Sequence, residues 1–160
     1  MSAPRGRRII TFGDFNDDRV KALLTRHLEG MHANSPAEHV FALDWSGLQK
    51  PEISFYAMWD GDDLLGVGAL KELEAKVGEV KSMRTADAHL RTGVAAAVLE
   101  HIIAEARARG YVRLSLETGS GPAFEPALAL YCNRGFVNGG PFSDYRENPF
   151  SQFLHLDLAV

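Results

Sequence analysis

The chain is 160 residues long, 46% hydrophobic and carries a net charge of -4 at neutral pH; it suits one domain with one good core and argues against a protein built to hold nucleic acid or an anionic membrane. Its one cysteine, Cys132, rules out an internal disulfide and fits a reducing compartment. No apolar run approaches membrane-spanning length and no apolar leader opens the chain, so a soluble, cytoplasmic protein is expected.

Arg5, Arg7 and Arg8 have no basic face behind them and read as a solvated tail; residues 1–7 are expected to be flexible and residues 8–160 to form the domain. Residues 8–15 are β-rich enough for a first strand. Asn16 can cap a helix over residues 17–31, where Val20, Leu23, Leu24, His27, Leu28 and Met31 fall on one face. His27 on that face reads as a satisfied core histidine. Ser35-Pro36-Ala37-Glu38 combines a capping box with proline at the first helical position. It predicts a short helix to about Leu43, broken by Asp44-Trp45-Ser46-Gly47.

Residues 53–59 are aromatic and β-branched, Asp60-Gly61-Asp62 turns the chain, and residues 64–73 return. Lys76-Val77-Gly78 makes the next turn before a strand over residues 79–85, completing an antiparallel meander. The period then changes. Val94, Val98, Leu99, Ile102 and Ala106 mark a helix ended by Gly110, and residues 111–117 form a strand that the crossover makes parallel to its neighbour. After the Gly119-Ser120-Gly121-Pro122 loop, residues 124–134 form a last helix, stopped by Gly135. Residues 136–137 and 153–158 supply two closing strands. The order is β-α-α-β-β-β-α-β-α-β-β.

Within it, Met83-Arg84-Thr85-Ala86-Asp87-Ala88-His89-Leu90-Arg91-Thr92-Gly93-Val94-Ala95-Ala96 reads as a strand end, a loop and a small-residue turn opening directly into a helix. Amides at such a helix start lack intrahelical partners and the dipole makes that end electropositive, which suits a diphosphate where Gly93 and Ala95 permit close approach. An ordinary loop-to-helix transition has the same small residues, so the neighbourhood decides.

That neighbourhood resembles the GNAT N-acetyltransferase superfamily, in a bacterial branch of mostly uncharacterised members. The family's acyl-CoA motif, Gln/Arg-x-x-Gly-x-Gly/Ala, falls on Leu90-Arg91-Thr92-Gly93-Val94-Ala95; Gly93 and Ala95 match, and Leu90 departs. About 40 residues on, Ala127-Leu128-Ala129-Leu130-Tyr131-Cys132-Asn133-Arg134-Gly135-Phe136 is similar to the family's Ala-x-x-x-Tyr-x-x-x-Gly-Phe ending. The resemblance implies a single α/β (α+β) domain whose mixed, mostly antiparallel sheet splays between strands 4 and 5, with helices on both faces. It implies acetyl-CoA as co-substrate. Leu90, Arg91, Thr92, Gly93, Val94, Ala95 and Ala96 would hold its diphosphate, with Arg91 able to supply the cation missing at Leu90. The backbone of Met83, Arg84 and Thr85 would pair with the pantetheine arm and supply an oxyanion donor, and Ala127 and Tyr131 would also lie at the cofactor.

Transfer to an amine further needs a proton acceptor and a donor to the departing thiolate. Tyr131 is the candidate donor, against the alternative of an amphipathic tyrosine packed between helix and sheet. For the base, Glu79 stands where the histone-modifying branch carries a glutamate, although an ordinary exposed strand glutamate has the same sequence; Glu117 and His32 are the alternatives. His32, Glu117, Asp144 and Tyr145 are candidate acceptor contacts, with Asp144 able to hold a cationic amine and Tyr145 and Phe150 to wall it. Cys132 reads as an inert small hydrophobe rather than a nucleophile. No histidine spacing suggests a metal.

The expected activity is direct transfer from acetyl-CoA to a primary amine in a ternary complex, with a small amine or amino acid favoured over protein lysine. The rival is a non-catalytic acyl-CoA sensor. No nucleic-acid or membrane partner is expected, and a homodimer is left open.

Overall fold

The computed structural model describes residues 7–39 and 45–158. Among them, seven strands form one sheet in the order β1-β2-β3-β4-β5-β7-β6. The strands are β1 (Arg8–Phe12), β2 (Ile53–Asp60), β3 (Asp63–Glu74), β4 (Val77–Thr85), β5 (Arg113–Thr118), β6 (Val137–Gly139) and β7 (Gln152–Asp157). The helices are α1 (Asp18–Asn34), α2 (Trp45–Leu48), α3 (Val94–Ala108) and α4 (Glu125–Asn133). All neighbours pair antiparallel except β4 and β5, which run parallel across the α3 crossover. No helix among the described residues is long and apolar enough to cross a membrane.

Each face of the sheet carries its own core. On one, α1 and α2 lay Val20, Leu23, Leu24 and Leu48 on Phe55, Ala57, Val67 and Ala69. On the other, α3 turns Val94, Val98, Leu99, Ile102, Ile103 and Ala106 onto Tyr56, Leu70, Val80, Leu114, Leu116 and Leu154, and Tyr131 of α4 joins them. Burial of a side chain of this size contributes roughly 1.5–3 kcal/mol, so the stripe on α3 alone is a major part of the core.

The strands and the three longer helices come in the expected order; the second helix and several boundaries differ for local reasons. β1 stops at Phe12, because Gly13 makes the last bond to Phe55 and the chain then turns, leaving the Phe15 ring stacked on Phe55. Asn16 does not cap α1: its amide is taken by Asp14 Oδ1 at 2.9 Å, and Asp17 is the cap, accepting from the Arg19 amide at 2.8 Å. The helix also runs on to Asn34, which carries Asn34 to the site described below. Of the short helix after Ser35, a 3₁₀ turn at Ala37–His39 is present. Its expected far end at residues 40–43 lies outside the described residues, as do Asp44 and most of the expected tail. The stretch read as a breaker, from Trp45, is instead the helical turn α2, which drives Leu48 into the core at 1% exposure. The turn before β4 is Ala75-Lys76, so Val77 and Gly78 already belong to the strand.

Candidate active site

β4 and β5 stay paired for only three residue pairs, Val77↔Arg113, Gly78↔Leu114 and Glu79↔Ser115. Beyond them the strands part around a cavity of about 200 Å³. One wall is β4, from Glu79 to Arg84; the other is Glu117 and Thr118 of β5; α1 closes it with His27, Gly30, Met31 and Asn34, and α4 with Ala127 and Tyr131.

A bulge decides what β4 shows to this cleft. The register passes from Ala69↔Lys81 to Val67↔Arg84, so Ser82 and Met83 together oppose Gly68, and Ser82 takes φ +56°. Strict alternation would send Arg84 to the α3 face. The extra residue instead turns Met83 toward Val98 and Ile102, and Arg84 toward α1, where a Cβ on Gly30 would stand 3.0 Å from its Nη1.

Glu79 is 2% exposed and fully engaged on one oxygen. Its Oε2 accepts from Tyr145 Oη at 2.6 Å and from Lys81 Nζ at 3.0 Å, while Lys81 also donates to Tyr145 Oη at 2.9 Å. Burial first, and then the Glu79 charge, raise the Tyr145 pKa, so its hydroxyl stays protonated and donates. Glu117 is different. Burial is the main cause that lifts its pKa, with the Glu79 charge adding and Ser151, Lys81 and His39 opposing. Tyr131, 7% exposed, has its hydroxyl pushed up to about 12 by burial. That hydroxyl makes no hydrogen bond among the described residues, while the ring packs edge-on to Phe136 at 5.8 Å.

The structure therefore brings Glu79, Glu117, Tyr131, Ala127, Met83 and Arg84 to one cleft, and Tyr145 to its floor through the Glu79 contact. It does not bring His32, which is exposed on the last turn of α1, or Asp144, exposed in the loop before β7. Phe150 packs on Phe124 and His39. Cys132 is exposed on α4 rather than packed. Lys81 went unnoticed in the sequence; its spacing of two from Glu79 on one strand was the available signal.

His27 is buried as expected but not satisfied: Nδ1 has no hydrogen-bond partner among the described residues. Burial, then the Arg84 charge, hold its pKa down at about 4. An unfolded histidine takes a proton near pH 6.5 and the folded one refuses it until about pH 4, so stability should fall as pH drops through that window, by up to about 3 kcal/mol. Denaturant titrations at pH 7 and pH 4.5 check this; in His27→Leu the His27 part of the pH dependence should vanish.

The turn before α3 lies apart from the titrating groups. Arg91 and Gly93 both take positive φ, +63° and +82°, and the first helical bond runs from the Ala97 amide to Gly93 O at 3.0 Å. The amides of residues 94–96 are left without helical partners. A Cβ on Gly93 would meet nothing within 4 Å, so space does not demand glycine there; the left-handed backbone does. Gly93→Ala is expected to lower stability by about 1 kcal/mol, measured by denaturant unfolding. Gly93→Glu adds a carboxylate beside the open amides and should weaken binding of an anionic ligand sharply, as calorimetry would read. Leu90 is 56% exposed and Arg91 exposed beside it.

Comparison with known proteins agrees with this geometry. Residues 19–136 match the model of the acetyltransferase (GNAT) family. The chain is 52% identical over 145 residues, 91% of its length and 96% of the relative's, to YsnE of Bacillus subtilis strain 168, an uncharacterised N-acetyltransferase. Among solved structures, a Klebsiella pneumoniae protein assigned as an acyl-CoA N-acyltransferase superposes with a TM-score of 0.78 at 26% identity, covering 95% of this chain and 98% of the other. An aminoglycoside 6'-N-acetyltransferase solved in complex with coenzyme A gives 0.73 at 15% identity, covering 95% and 98%.

Proposed function

The chain belongs to the acetyltransferase (GNAT) family and is an acyltransferase, and from that premise we propose that it passes the acetyl group of acetyl-CoA directly to a primary amine of a small molecule in the β4–β5 cleft. The observation that carries this reading is the opening itself. Pairing ends after Glu79↔Ser115, and the hydroxyl of the buried Tyr131, unpartnered among the described residues, and the half-buried Glu117 carboxyl of raised pKa line the same space.

The open amides of residues 94–96, with Arg91 beside them, suit the CoA diphosphate. The unpaired stretch of β4 offers its backbone to the pantetheine arm, and its amides to the oxygen that gains charge as the amine adds to the thioester carbonyl. An alkylammonium, with a pKa near ~10.4, must lose a proton before it can attack. Glu117 is the acceptor best suited to it. Glu79 is tied into the fold through the Lys81 and Tyr145 contacts to its Oε2, whereas Glu117 lines the opening and burial makes it a stronger base than an ordinary carboxylate. As the tetrahedral adduct collapses and the C–S bond breaks, the Tyr131 hydroxyl gives the thiolate its hydrogen bond or proton. A phenol held up at about 12 keeps that proton at neutral pH.

The test is release of free thiol from acetyl-CoA over a panel of small amines, amino acids and lysine peptides, with the acetylated product identified by mass. Turnover of at least one small amine supports the proposal. Binding of acetyl-CoA with no thiol release across the panel would favour a non-catalytic sensor, and acetylation of peptides alone would move the acceptor class.

A further inference from the structure

Resting on the acetyl-transfer reading, we infer that the acceptor carries a carboxylate beside its amine, an amino acid rather than a simple amine, and that the Arg84 guanidinium grips that carboxylate. The cleft holds two cations, and only one is consumed by the fold. Lys81 is 8% exposed and tied to both Glu79 and Tyr145. Arg84 is 25% exposed, and its side chain makes no hydrogen bond among the described residues. Its one ion contact among the described residues is Asp87 at 3.7 Å, and Asp87 is also claimed by Arg26 at 3.3 Å. Two guanidinium groups share one carboxylate, which leaves one positive charge in surplus at the cleft wall.

The local fold is arranged around this side chain. The Ser82 bulge turns Arg84 off the α3 face and into the cleft, and Gly30 supplies the clearance, since a Cβ there would touch Nη1 at 3.0 Å. A glycine inside a helix is unfavourable for the helix, so it needs such a reason. His27, the neighbouring ring, is neutral at physiological pH and does not compete for an anion. Across the cleft stands Glu117, the carboxyl offered to the amine. A wall with an under-used guanidinium facing a wall with a carboxyl complements a zwitterion. One arginine matches the single charge and two oxygens of a carboxylate better than a dianionic phosphate. A polyamine would place nothing against Arg84 except like charge.

The experiment measures kcat/KM, by thiol release from acetyl-CoA, for a series of amino acids, each against its decarboxylated amine and its carboxamide. These two analogues bracket the acid in amine basicity, so preference over both is not an effect of nucleophile pKa. The wild type should favour the acid over both by at least about tenfold, and Arg84→Met should cut that ratio about 10–100-fold, the range of a lost charge-assisted hydrogen bond. A ratio within one preparation is insensitive to its folded fraction. Should Arg84→Met not fold, Arg84→Lys, which keeps the charge and loses the fork, should cut the ratio about 3–10-fold. Equal or better use of the amine or carboxamide by the wild type, or a ratio that survives Arg84→Met, overturns the inference and leaves acetyl transfer standing. Failure to acetylate any member while acetyl-CoA still binds overturns both.

Discussion

Glu117→Gln is expected to lower kcat/KM at neutral pH by about 10²–10⁴-fold, the contribution typical of a positioned general base. The substitution keeps the shape of the side chain and removes only its ability to take a proton. The pH profile gives the sharper reading. Glu117 works as the carboxylate, and burial raises its pKa, so wild-type activity should fall as pH drops through a limb lying above the ordinary carboxylate range. In the glutamine variant that limb should vanish, and part of the activity should return in alkali, where the free amine is already present. Glu79→Gln should behave otherwise. It breaks the contacts to Lys81 and Tyr145 and so lowers activity, but the acid limb should remain. A retained limb in Glu117→Gln together with a lost limb in Glu79→Gln would reverse the two roles.

Tyr131→Phe is expected to lower kcat by about 10²–10⁴-fold with little change in the KM for acetyl-CoA, because the hydroxyl acts on a thiolate that exists only as the C–S bond breaks. The fold should be indifferent. The hydroxyl has no partner among the described residues to orphan, and phenylalanine preserves the edge-on packing against Phe136. Steady-state kinetics with a good acceptor, and a thermal melt of each variant, read both halves. Wild-type kcat with chemistry limiting the rate would make Tyr131 a packing residue.

The order of elements was legible because two periods are clean in this sequence: alternation through the meander, and the 3.6-residue stripe from Val94 to Ala106. The parallel β4–β5 pair followed from the crossover, and the turn at Gly93 from its small residues. What escaped was set by tertiary competition among short polar groups. Asn16 and Asp17 are both good caps by residue type; in the fold the Asn16 amide closes a turn on Asp14 and Asp17 stands at the cap. Asp44-Trp45-Ser46-Gly47 reads as a breaker until the burial of Leu48, just after it, is known.

The acceptor side was less legible, for the same kind of reason. Glu79 and Glu117 are equivalent on paper, and what separates them is that Tyr145, 66 residues away, comes to rest on one of them. Arg84 could be placed at the cofactor strand, but the direction of its side chain depends on an insertion of one residue at Ser82, and no pattern of period two contains a bulge in advance. His32 and Asp144 were reasonable contacts by segment; their side chains face solvent.

The most direct test of the account is a crystal structure of the protein with acetyl-CoA. The diphosphate should lie on the amides of residues 94–96 and the thioester between β4 and β5, beyond the Glu79↔Ser115 pair, with its sulfur within hydrogen-bond reach of the Tyr131 hydroxyl. A thioester bound outside that opening, or a sulfur remote from Tyr131, would contradict it.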